Sequence, residues 1–239
     1  MSLAISDNSD SHDSEGLAED AIVEHILTAV MEQRLPPGTK LSESALCEAF
    51  GVGRMRIRRS LLLLASQEVV ILQANRGAFI ASPTAEQAHE VFEARRMIEP
   101  GMARLAVEQA GPDQIALMTR HLEQEHAAHR RQDRREAIRL SGQFHSHLAA
   151  MAGNAVMQRM MKELISRTSL IISVFGSPGM SDCRDDEHGA ILEALRNRDG
   201  DLAADIMLRH LQHIEAHLHL TRPKQAPLDV VAILKQKQL

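Results

Sequence analysis

Four arginines crowd the segment Arg54-Met55-Arg56-Ile57-Arg58-Arg59. Arg54 and Arg58 are four residues apart, so on a helix they share one face, while Ile57, Leu61 and Leu64 share the opposite face and can pack inward. Such a helix fits the major groove of duplex DNA, where a guanidinium can bond a guanine edge with two N–H groups or clamp a phosphate. Arg56 and Arg59 flank that face and can hold the DNA backbone. An isolated run of arginines is more often a solvated face; the flanking residues decide for DNA. Gly51-Val52-Gly53 supplies a short turn in front. Downstream, Ala74-Asn75-Arg76-Gly77 joins two β-branched stretches, and Asn and Gly tolerate the positive φ of a tight hairpin. Arg76 and Gly77 then sit at the tip of a wing.

Other chemistry is sparse. The sequence holds 13 histidines, but no HExxH, no Gly-x-Ser-x-Gly and no phosphate-cradling glycine loop. Cys47 and Cys183 are distant and form no metal-like pair, which fits ordinary thiols in a reducing compartment. With no Trp, no Tyr and 5 Phe, stacking platforms for single-stranded nucleic acid are lacking. The net charge of -5 is uneven. Acidic residues crowd the first twenty positions, whereas between Lys40 and Ile80 the cations Lys40, Arg54, Arg56, Arg58, Arg59 and Arg76 face only Glu43, Glu48 and Glu68. That segment is locally basic, and a local patch governs the local field.

The elements that must hold these residues follow from periodicity. Over 239 residues, 44% hydrophobic and 25% charged, a core of ordinary globular type can form without staples. Residues 1–16 are polar and acidic and read as a flexible tail. Helical spacing of apolar residues spans 17–33, ended by Pro36-Pro37-Gly38. Ser42 is placed to cap a short helix ending at Gly51, and a third helix runs to about Ser66. Strands are expected at 69–73 and 78–81. Ser82-Pro83-Thr84 marks a boundary, beyond which helices are expected at 85–110, 112–131, 134–152, 155–174, 182–197 and 201–220. Pro100 should kink or split the first of these. Asn154 reads as a helix cap. The fold class is mostly α: a winged helix-turn-helix with a two-stranded wing over 17–82, then an all-α antiparallel bundle over 83–221, with a tail at 222–239. No apolar stretch is long enough to span a bilayer and no signal peptide is evident, so a cytoplasmic protein is expected.

Three motifs carry a family resemblance. Leu35-Pro36-Pro37-Gly38-Thr39-Lys40-Leu41-Ser42-Glu43, Phe50-Gly51-Val52-Gly53-Arg54 and Asn75-Arg76-Gly77-Ala78-Phe79-Ile80 resemble the DNA-binding domain of GntR-family regulators. The helices that follow resemble the effector domain of its FadR-type branch, called FCD. The resemblance covers roughly residues 17–221. It implies DNA contacts by Arg54 and Arg58 and by the wing tip at Gly77. Ser44 stands where the family often has Arg. Gly53, Met55, Arg56 and Arg59 stand where it usually has Ser or Thr, Thr, Pro and Glu. Fewer hydroxyls and more cations shift the balance from base reading toward phosphate grip, with a steeper salt dependence.

The resemblance also singles out His145, His188 and His210, on three different expected helices, as ligands of a divalent ion such as Zn or Ni. The Asp that usually accompanies the first of them is Ser141 here, a poorer ligand that leaves a three-histidine site with open positions. An effector carboxylate could complete the coordination, assisted by Arg95, which resembles the family's buried Arg. Arg95 could equally form a structural salt bridge with Glu99. The other histidines read as surface or supporting residues. The function implied is a dimeric regulator on a near-palindromic double-stranded operator, a repressor or an activator, controlled by a small organic acid. Two other readings stay open: a metal-dependent hydrolase of small acids with Glu187 as base, or a ligand-binding module with weakened DNA recognition.

Overall fold

The computed structural model describes residues 17–176 and 186–220. In chain order the elements are α1 (Glu19–Met31), β1 (Lys40–Leu41), α2 (Glu43–Phe50), α3 (Arg54–Ser66), β2 (Val70–Gln73), β3 (Gly77–Ile80), α4 (Ala85–Gln109), α5 (Pro112–Arg130), α6 (Arg134–Met151), α7 (Ala155–Phe175), α8 (Glu187–Arg196) and α9 (Gly200–Ala216). The expected mostly helical architecture, a small winged unit followed by a helical bundle, is what forms. The expected tails at 1–16 and 222–239, the start of the helix expected from 182, and Cys183 lie outside the described residues.

In the first unit, Ile22, Ile26, Leu46, Ile57 and Leu64 are fully buried in one core that ties α1, α2 and α3 to the sheet. Gly51 ends α2 at φ 66° and its N–H bonds the Cys47 carbonyl; a left-handed residue there favours glycine. The hairpin turn uses Asn75 at φ 61° and Gly77 at φ 96°, as the turn chemistry requires. The sheet departs from expectation by one strand. Lys40 and Leu41 pair antiparallel with Phe79 and Ala78, giving the order β1-β3-β2. Two residues are too few to show a period of two in a sequence. Ser42 does precede α2, but its hydroxyl bonds that of Ser44 at 2.8 Å and caps no backbone N–H.

The bundle is organised around α4, which packs against α6, α7 and α9. Pro100 lies inside α4 without splitting it. A proline offers no N–H to the carbonyl of Arg96; a capping box at Thr84 and Gln87 secures the helix start, and Met102, Ala103 and Ala106 are fully buried beyond the proline. Side-chain caps by Asp133, Asn154, Asp186 and Asp199 begin α6, α7, α8 and α9. Each satisfies backbone donors that the helix leaves open.

The two units are packed together. Leu170 of α7 is 1% exposed within the core of the winged unit, and Met31 at the end of α1 packs against the bundle cluster that contains Met102, Met161 and Ile165. Arg167 pairs with Glu68 at 3.0 Å, and Lys162 pairs with Glu24.

Candidate DNA-reading and ligand sites

The helix-turn-helix presents Arg54, Met55 and Arg58 on the exposed side of α3, because Ile57, Leu61 and Leu64 take the buried side. Arg54 is in the first turn and makes no ion pair among the described residues. Arg58 donates from Nε to Glu43 Oε1 at 2.8 Å. Arg56 and Arg59 turn the other way, toward the start of α1: Arg56 Nη1 donates to the Leu17 carbonyl at 3.3 Å and Arg59 Nη1 to Glu19 Oε1 at 3.1 Å. Gly53 and Ser44 are exposed beside the turn, as are Arg76 and Gly77 on the wing. The Arg76 guanidinium lies 5.6 Å from the centre of the Phe79 ring.

In the bundle, α6, α8 and α9 bring His145, His188 and His210 together, all buried. Their Nε2 atoms face one another: 3.2 Å from His188 to His210, and 3.3 Å from His210 to His145. All the ligand atoms fall within 4.8 Å. Nitrogens held at about 2.0–2.1 Å around one tetrahedral ion lie roughly 3.3 Å apart, which the two separations through His210 match. The outer ring nitrogens are each held by a carboxylate. His145 Nδ1 meets Glu99 Oε2 at 2.5 Å, His188 Nδ1 meets both oxygens of Glu125 at 3.0 Å, and His210 Nδ1 meets Glu187 Oε2 at 2.8 Å. This fixes the tautomer that points Nε2 inward. Phe144 stacks on His188 with ring centres 4.0 Å apart.

Electrostatics agree with a ligand role. Burial pushes His145 down to about 4 and His210 down to about 3, so both are neutral near pH 7. Burial alone would raise Glu99, but Arg95 and His145 pull it down to about 2. Glu125 is likewise held below its ordinary range, its burial outweighed by His188 and His129. Neutral imidazoles backed by carboxylates are what Zn or Ni takes. The donor set therefore fits a divalent ion.

Beside His145 lies a cavity of about 70 Å³, lined by Arg95, Ser141, Thr168 and Met31 among others. Arg95 is 2% exposed. Its Nε donates to Glu99 Oε1 at 2.5 Å and its Nη1 to Thr168 Oγ1 at 3.3 Å, while Nη2 is buried with no hydrogen-bond partner. The salt bridge with Glu99 and an unspent donor thus coexist on one guanidinium. Ser141 sits one turn before His145 and lines this cavity, but the converging ligand atoms among the described residues are the three histidines alone. Other histidines take supporting places: His121 Nε2 meets the Leu140 carbonyl at 2.8 Å, and His213 Nδ1 meets Glu187 Oε1 at 2.5 Å. Sequence reasoning missed Glu125, Thr168 and Met31. It assigned Glu99 to Arg95 alone, and Glu187, offered as a base, instead holds His210 and His213.

A DNA-reading winged helix fused to a helical ligand-binding bundle defines a ligand-responsive transcription regulator. Two family matches agree: the FCD domain over residues 90–213, and bacterial regulatory proteins of the gntR family over residues 18–80. The chain belongs to the gntR family, in the branch that carries an FCD effector domain. It is similar to the HTH-type transcriptional repressor RspR of Escherichia coli K12, 26% identical over 195 residues, covering 80% of this chain and 85% of that one. It is also similar to the galactonate operon transcriptional repressor of the same strain, 27% identical over 214 residues, covering 79% and 91%. In fold it matches E. coli McbR/YncC with a TM-score of 0.73 at 18% identity, covering 82% of this chain and 96% of that chain. The chain is a transcriptional regulator and not an enzyme. Among the described residues, no helix is long and apolar enough to cross a membrane.

Proposed function

We propose that the protein is a cytoplasmic, homodimeric repressor that grips a near-palindromic operator and releases it when a small organic acid enters the bundle. The reader spans residues 17–82 and the effector unit residues 83–221. Arg54 and Arg58 enter the major groove, with Met55, Gly53 and Ser44 beside them and Arg76 and Gly77 on the wing. Arg56 and Arg59 supply cationic flanks near the phosphates while anchoring α1. His145, His188 and His210 hold a divalent ion, Zn or Ni, which when bound supplies a Lewis-acidic centre for a carboxylate. Arg95 offers its free donor to the same anion, and Ser141 leaves space where a larger ligand side chain would stand. The observation that carries this reading is Arg95 itself, which lines a cavity that also reaches His145 and keeps one buried guanidinium nitrogen, Nη2, without a hydrogen-bond partner. A buried unsatisfied donor costs about 1–3 kcal/mol, which an incoming carboxylate recovers.

Fluorescence anisotropy on the chain's own upstream DNA tests the reader. Arg54→Ala and Arg58→Ala are each expected to weaken binding by about 1–3 kcal/mol if they touch base edges. A uniform loss across sequences with a flatter salt slope would assign them to phosphates instead. Unchanged binding by the double variant would sink the reading.

A further inference from the structure

Four successive residues of α7 reach four different places. Arg167 pairs with Glu68 just ahead of β2, at 3.0 Å. Thr168 accepts from Arg95 Nη1 at 3.3 Å, and Ser169 Oγ donates to the Met31 carbonyl at 3.4 Å. Leu170 is buried in the core of the reader. Met31 itself, the last residue of α1, lines the same cavity as Arg95, Ser141 and His145. One wall of the ligand chamber is therefore a side chain of the DNA-reading unit.

That wall is held by no ion pair. A cavity of about 70 Å³ has room for only a few waters, so a larger occupant must displace something. Arg95 and His145 are locked by Glu99, whereas Met31 is held by packing and by the bond from Ser169 to its carbonyl, so displacing it bears on the end of α1. The opposite end of α1 carries the next link. Glu19 and the adjoining Leu17 bond Arg59 and Arg56 of the recognition helix. Helix α1 is 13 residues long, a rod of about 20 Å, and its buried residues are packed too tightly to absorb a push.

We infer that Met31 contacts the effector directly, and that chamber occupancy reaches the recognition helix within one protomer, along α1, with Thr168 and Ser169 as positioning residues. This rests on the reading of the chamber as the effector site.

The test needs no knowledge of the effector. In a Cys47→Ser, Cys183→Ser background, Met31→Cys is labelled with sodium 2-sulfonatoethyl methanethiosulfonate, which adds an anionic arm inside the chamber. Labelling with the methyl reagent restores roughly the bulk of methionine. Labelling is verified by mass, and binding to upstream DNA is followed by anisotropy. The sulfonatoethyl adduct is expected to bind DNA at least tenfold more weakly, the methyl adduct within twofold of the background, and dithiothreitol to reverse the loss. A surface control, Leu202→Cys with the same arm, is expected to change nothing. A fully labelled chamber with DNA affinity within twofold of the unlabelled protein overturns the inference while leaving the regulator reading intact. If the background protein itself fails to bind the DNA, the regulator reading falls and takes this one with it. Should Met31→Cys not fold, as judged by its melting curve, Ser169→Cys on the same chamber is labelled and read by the same two outcomes.

Discussion

At the scale of residues, the carboxylates behind the histidines carry as much information as the histidines. Both oxygens of Glu125 lie 3.0 Å from His188 Nδ1, which holds the proton there and leaves Nε2 as the inward donor. Glu125→Gln should keep all three imidazoles and yet lower metal affinity about 10–100-fold, as read by competition with a chromophoric chelator. An affinity equal to the parent's would show that Glu125 does not tune the site. Arg95→Ala leaves Glu99 charged and buried beside His145, and should cost about 3–5 kcal/mol in urea unfolding. These partnerships were largely illegible in the sequence. Glu125 and His188 are 63 residues apart, and such a separation has no periodic signature. The histidines themselves emerged only through the family resemblance, since a lone histidine on a helix has many ordinary uses. The shared exposed face of Arg54 and Arg58 was legible because one helical turn and a packed opposite face are local properties.

At the scale of elements, what could be read was what a short window contains. The Asn154 cap was legible, and its side chain accepts from the backbone N–H groups of Val156 and Met157 at 3.1 Å. Asn154→Ala should therefore destabilise the fold by about 1 kcal/mol, with the midpoint of a urea titration shifted and its slope unchanged. A slope change would mean that α7 had come loose rather than merely lost a cap. Strand β1 was not legible, because its pairing with β3 is non-local and its length is two residues. The integrity of α4 through Pro100 was also hidden, since the packing that sustains it comes from helices far along the chain.

Across the whole molecule, the two units share side chains, so their stabilities should not separate. Leu170 sits in one core and Met31 against another. An ion that binds only the folded protein adds stability by mass action, about 2.7 kcal/mol at a hundred times its dissociation constant. For a chain of this length that amounts to roughly 5–10 °C in melting temperature. Zinc-loaded protein should thus melt as one transition above chelator-stripped protein, and His145→Ala should abolish the difference. Two transitions, only one of them metal-sensitive, would mean that the reader unfolds on its own. No composition or periodicity announced this shared packing; the sequence marked a boundary at Ser82-Pro83-Thr84 and nothing that bridges it.

Glu99 has two oxygens, and they serve different masters. One takes Arg95, the other His145. On the function proposed above, an acid that drew on Arg95 would change how firmly Glu99 holds the imidazole behind an ion, and by reciprocity an ion on the imidazoles would change how Arg95 greets the acid. A single carboxylate so placed would work as an arbiter between two inputs, the supply of metal setting the dose of metabolite that frees the operator.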